Sequence, residues 1–114
     1  MSYDSIAADD PNELFRSLAD PTRRGILEHL MRGGEQNVRA LTDRAGVSQA
    51  AVSKHLSVLK SAGLVRDRPS GRTVHYTAQP EGLAPLIDWI GLYAAFWRDR
   101  LDCLETLLDG LDDA

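Results

Sequence analysis

The sequence predicts a mainly α fold carrying one small β-hairpin, with four short helices first and a long helix last. Three observations predict it. Apolar residues recur at helical spacings of three and four through the first half of the chain. One stretch, residues 64–77, is instead β-rich, alternates in its second half and is broken by Pro69-Ser70-Gly71. From Ile90 to Leu111 the apolar residues step by four and three in turn, as in a heptad seam.

Residues 1–10 are polar and acidic and read as a frayed, flexible terminus. They carry neither the basic region nor the apolar run of a secretory signal. From Asn12, the run to Ala19 predicts a first helix with Leu14, Phe15 and Leu18 on one side. Asp20 then caps a second helix, and Pro21 suits its first position, where no amide donor is needed. That helix buries Ile26, Leu27 and Leu30 and ends at Gly33-Gly34. Asn37 caps a third helix, residues 38–45, with Val38, Leu41 and Ala45 inward. Gly46-Val47 makes a tight turn, and Ser48 caps the fourth helix.

This fourth helix, residues 48–62, carries the functional signal. Ala51, Val52, Leu56, Val58, Leu59 and Ala62 form an apolar stripe. The opposite face holds Ala50, Ser53, Lys54, Ser57, Lys60 and Ser61, with Gln49 at its edge, and contains no carboxylate. A solvated face ordinarily mixes both signs of charge, whereas a face that meets nucleic acid does not. Ser and Gln donors reach base edges when a helix lies in the major groove, and Lys contacts phosphate. A short helix, a glycine turn and a second capped helix form a helix-turn-helix corner. The expected DNA contacts are therefore Ser48, Gln49, Ala50, Ser53, Lys54 and Ser57.

Gly63 closes this helix, and residues 64–68 and 72–77 read as two strands of a wing. Arg68, Ser70 and Arg72 cluster at its tip, where cations grip flanking phosphate or enter a minor groove. The competing reading is a hairpin that only covers the core. Arginines bracketing the tip favour the wing, and add Arg68 and Arg72 to the expected contacts.

After Pro80, the last helix is expected from about Leu83 to Leu108. Its seam runs through Ile90, Ala94, Trp97, Leu101, Leu104, Leu108 and Leu111, beside a second stripe of Trp89, Tyr93, Phe96, Cys103 and Leu107. Two stripes exceed what a surface helix needs to pack on one small core. The expected homodimer interface is Trp89, Ile90, Tyr93, Phe96, Trp97, Leu101, Leu104 and Leu108. The chain is expected to be one domain, with residues 11–80 as the DNA-binding part and residues 81–114 as its dimerisation helix.

Totals agree. At 114 residues, with 43% apolar residues, the chain can build one modest core. Its net charge of −4 hides a basic centre. Residues 39–76 hold seven Lys/Arg against Asp43 and Asp67, and both flanks are acidic. Local potential governs phosphate binding more than the total does. The single cysteine, Cys103, excludes an intrachain disulfide and fits a reducing cytoplasm. No segment has the apolar length of a membrane span, so no membrane partner is expected.

The segments Ala19-Asp20-Pro21-Thr22-Arg23-Arg24, Ser48-Gln49-Ala50-Ala51-Val52-Ser53-Lys54-His55-Leu56, Leu59-Lys60-Ser61-Ala62-Gly63-Leu64-Val65 and Gly71-Arg72 closely resemble the ArsR-type winged helix-turn-helix repressors. The resemblance covers roughly residues 11–108. It implies a homodimeric repressor of a two-fold symmetric operator, with the long C-terminal helix packed on its counterpart. Many members of that family sense metals, and here the sequence departs. Asn37 and Arg39 stand where the best-known sensors place a Cys-X-Cys pair, and residues 81–114 contain no histidine. His29, His55, His75 and Cys103 offer no ligand cluster. The chain therefore resembles a metal-independent branch, with no cofactor and an unnamed inducer.

Single residues carry two readings each. His55 reads as a half-buried packing histidine rather than a base reader or catalyst, and His29 as solvated. His75 either contacts phosphate or lines the wing. Cys103 reads as an inert buried thiol, with a redox role across the dimer as the lesser alternative. Arg23 and Arg24 either touch phosphate or pair with local acids such as Asp20. A small-molecule inducer site near Trp89, Tyr93, Phe96 and Trp97 competes with dimer packing for the same aromatics. A winged-helix module that docks an acidic protein is the alternative function. No nucleophile-base constellation, phosphate loop or metal motif suggests an enzyme.

Overall fold

The computed structural model describes residues 11–112, so the expectation for residues 1–10 lies outside the described residues. The order is α1 (Pro11–Ala19), α2 (Pro21–Gly33), β1 (Gln36–Asn37), α3 (Val38–Ala45), α4 (Gln49–Ser61), β2 (Val65–Ser70), β3 (Thr73–Ala78), a 3₁₀ turn (Pro80–Leu83) and α5 (Ala84–Asp112).

Helices α2, α3 and α4 each start on a side-chain cap. The Asp20 carboxylate accepts from the Thr22 and Arg23 amides at 2.8 and 3.1 Å, and Pro21 occupies the first turn. Asn37 accepts from the Ala40 amide at 2.8 Å, and Ser48 from the Ala51 amide at 3.2 Å. Between α3 and α4, Gly46 takes a left-handed φ of 71°, which a side chain would oppose. That one residue lets α4 turn sharply away from α3.

The apolar faces meet in one core: Leu14, Ile26, Leu27, Leu30, Leu41, Val52, Leu56, Leu59, Ala62, Leu64 and Val65. Burying a side chain such as Leu56 stabilises the fold by roughly 2–3 kcal/mol. Ser17 also lies in this core, its hydroxyl donating to the Leu14 carbonyl at 2.8 Å.

Two expectations change. The sheet has three strands rather than two, in the order β1-β3-β2. Gln36 and Asn37 pair with Tyr76 and His75, a two-residue strand too short to show periodicity. The hairpin is also longer than expected: Pro69 and Ser70 stay in β2, opposite Val74 and Thr73, and the turn is Gly71-Arg72. Pro69 is tolerated because β2 is an edge strand. Gly71 alone in this turn has a positive φ, 60°, which fits a glycine-first two-residue hairpin turn.

Helix α5 packs near its start against α1, where Phe15 meets Trp89 edge-on at 5.2 Å. Beyond that it runs out along the long axis of a molecule 72 Å in extent.

Candidate nucleic-acid interface

The helix-turn-helix corner presents one face of α4 to solvent and the other to the core. Val52, Leu56 and Leu59 are buried. Ser48, Gln49, Ala50, Ser53, Lys54 and Ser57 are all exposed. No acid lies in the first turn of α4, so nothing there repels a phosphate approaching the helix N-terminus. Its surface is short, polar and cationic. The expected reading residues thus fall on one continuous strip, which begins where the helix projects from Gly46.

The basic residues divide into free and committed groups. Arg39, Arg44, Lys54, Arg66 and Arg72 are exposed and form no ion pair among the described residues. Arg72 sits in the hairpin turn itself. Lys60, in contrast, bonds Asp67 at 3.0 Å, tying the end of α4 to β2. Arg68 does not project from the wing tip: it faces His75, two pairs back from the turn, and grips Glu35. Its Nη2 and Nε donate to the two Glu35 oxygens at 2.6 and 3.1 Å. The Thr77 hydroxyl donates to the same carboxylate at 3.4 Å, and His75 Nδ1 lies 3.9 Å away. The Arg68 bond holds the Glu35 pKa below its usual 4.5 and raises that of Arg68. Sequence reasoning passed over Glu35 because β1, which brings it beside the wing, is only two residues long.

Arg23 and Arg24 donate to neither an acid nor open solvent alone. Arg23 Nε donates to the Ser17 carbonyl at 2.7 Å and its Nη2 to that of Arg16 at 3.2 Å. Arg24 Nη1 donates to the carbonyls of Leu18 and Ala19 at 2.7 and 3.2 Å. The pair therefore closes the C-terminal carbonyls of α1, which helix geometry leaves without partners. Arg23 Nη1 also reaches His55 Nδ1, at 3.3 Å, and His55 is half-buried as its sequence position suggested. His29, read as solvated, is half-buried beside α3, in a groove shared with Ile26 and Arg44.

On α5, Trp89, Ile90, Tyr93, Phe96, Trp97, Leu101, Leu104 and Leu108 are each 45–60% exposed in the single chain. Cys103, expected to be buried, is exposed, because α5 extends past everything that would cover it. Among the described residues, no group of three or more His, Cys, Asp or Glu is arranged to hold a metal. No helix of the described residues is long and apolar enough to cross a membrane.

A capped reading helix, a glycine corner and an adjacent β-ribbon define a winged helix-turn-helix DNA-binding protein. Comparison with known proteins gives the family. A helix-turn-helix domain family matches residues 18–68. The HTH-type transcriptional regulator Rv2034 of Mycobacterium tuberculosis is 41% identical over 103 residues, 90% of this chain and 92% of that one. The arsenical resistance operon repressor of Escherichia coli is 43% identical over 61% of this chain and 60% of its own. An ArsR-like transcriptional regulator from Rhodococcus sp. RHA1 superposes with a TM-score of 0.71 at 30% identity, covering 96% of this chain and 98% of that one. The chain belongs to the ArsR family of winged helix-turn-helix transcriptional regulators; it is a DNA-binding regulator, not an enzyme.

Proposed function

We propose that the chain is a cytoplasmic, homodimeric repressor that reads a two-fold symmetric operator. The observation that carries this reading is the acid-free strip from Ser48 to Ser57, exposed while the rest of α4 is locked into the core. Ser48, Gln49, Ala50, Ser53 and Ser57 face the base edges, and Lys54 and Arg72 face phosphate. Arg68 contributes to the wing through its bond with Glu35, and engages DNA only by exchanging that partner.

Dimerisation is supported by α5. Its apolar residues are too many for the core of one chain and lie exposed along most of the helix. Residues 11–80 form the reading part and residues 81–114 the dimerisation helix. Pairing through α5 sets two reading helices about 34 Å apart, one duplex turn. The fold offers a small-molecule signal a groove of about 360 Å³ lined by Trp89, Leu92, Tyr93 and Phe96, where a ligand would compete with the second chain. The metal-independent branch is supported by the missing cysteine pair at Asn37 and Arg39.

The test is a mobility shift on the DNA upstream of the protein's own gene, at low salt, with and without excess unrelated duplex. A discrete complex that survives competition is expected. No complex at any protein concentration would rule the function out.

A further inference from the structure

We propose that Arg23 and His55 form a strut that fixes the tilt of the reading helix against α1, making both positioning residues for DNA recognition. The inference rests on the DNA-reading function proposed above. A guanidinium only donates hydrogen bonds. Three of its nitrogens are engaged here, each by a separate partner: Ser17 O, Arg16 O and His55 Nδ1. The first two anchor the guanidinium to the end of α1. The third reaches a side chain 32 residues away, on the helix that reads DNA.

A guanidinium cannot accept, so this contact is a hydrogen bond in the tautomer that leaves Nδ1 of His55 unprotonated. The head of Arg23 is itself aimed by its surroundings. Asp20 fixes the first turn of α2 through the Thr22 and Arg23 amides, and Arg24 holds the neighbouring carbonyls of Leu18 and Ala19. His55 directly follows Ser53 and Lys54, both on the exposed strip. A shift of His55 therefore carries the reading residues with it, and base contacts tolerate only about 0.5 Å or 10–20° of error.

The strut also continues toward α5. Phe15, next to Arg16, stacks edge-on with Trp89, which in turn lies 4.7 Å from Tyr93. Aromatic contact on α5, the α1 carbonyls, Arg23 and His55 thus make one contiguous line from the proposed dimer helix to the reading helix. In that line the Arg23 side chain touches both α1 and α4.

The test uses the full chain and the tightest duplex that the wild type selects from a random-sequence pool, titrated at fixed salt. His55→Leu removes the acceptor, and His55→Gln supplies an amide oxygen in its place. We expect His55→Leu and Arg23→Ala each to weaken binding by about tenfold, with the double variant no worse than either. His55→Gln should stay within about threefold of wild type. Wild-type affinity for His55→Leu, a His55→Gln loss equal to that of His55→Leu, or multiplying effects in the double variant would overturn the strut. The nitrogen spectrum of ¹⁵N-histidine in the unsubstituted chain checks the same bond without any folding risk: Nδ1 of His55 should be unprotonated, and a protonated Nδ1 would overturn it. Should the wild type select no duplex, the DNA-reading function fails and the positioning role with it, while the spectrum still decides the Arg23–His55 bond.

Discussion

Arg68 on the wing and Glu35 beside β1 form a two-point ion pair, 33 residues apart in sequence, with Nη2 2.6 Å from one carboxylate oxygen. A cation expected among the DNA contacts is engaged by a carboxylate of its own chain. Thr77 and His75 converge on the same carboxylate.

Glu35→Ala should therefore strengthen binding to non-specific duplex, since it frees one wing cation. The slope of log affinity against log salt should steepen by about 0.9, one phosphate's worth of released counterion. Titrations at several salt concentrations check this, and an unchanged slope would mean that Arg68 does not reach the DNA.

The same pair gives a pH dependence. Arg68 holds the Glu35 carboxyl below its usual 4.5, so the folded value is depressed. Its contribution to wing stability is complete above the unfolded value and is lost as pH falls through the folded one. A carboxyl ¹³C titration should place Glu35 below 4.5, and Arg68→Ala should move it back up. Amide protection in β3, taken relative to the intrinsic exchange rate at each pH, should fall over the same acidic range.

Gly82 is required by space. A Cβ there would fall on the backbone carbonyl of Gly63, where the end of α4 meets the 3₁₀ turn before α5. Because backbone rather than a flexible side chain must move, Gly82→Ala should cost roughly 3 kcal/mol. Denaturant unfolding would register it, and a loss near zero would show that the turn repacks freely.

Leu101→Glu places a charge in the middle of the α5 seam. Sedimentation equilibrium should give about twice 12.5 kDa for the wild type and a single-chain mass for the variant. Since Leu101 is already 56% exposed in the single chain, the substitution should leave the helical signal of the folded monomer in place.

Lys54 and Gln49 should separate affinity from sequence choice. Lys54→Ala should weaken specific and non-specific duplexes alike and flatten the salt slope by about one unit. Gln49→Ala should relax base preference, at a cost of about 1–3 kcal/mol on the best duplex only.

The helices were legible because their signals are local. Asp20-Pro21, Asn37, Ser48 and Gly46 each act within three residues, and the buried stripe of α4 follows from spacing alone. The long α5 helix was legible for the same reason. What the chain order hides is pairing at a distance. Gln36 and Asn37 become a strand only because Tyr76 and His75 lie beside them, and that strand makes Glu35 a partner for Arg68. The turn was misplaced because Pro69-Ser70 reads as a breaker, although an edge strand has room for a proline. Arg23 was placed between phosphate and a local acid; its actual partners, backbone carbonyls and His55, carry no sequence signature.

The most direct measurement of paired reading is methylation interference at guanine N7 on the selected duplex, which reports major-groove contact base by base. A dimer joined through α5 predicts two clusters of interference related by two-fold symmetry, about 10 base pairs apart from centre to centre. A single cluster, or protection without any major-groove interference, would contradict it.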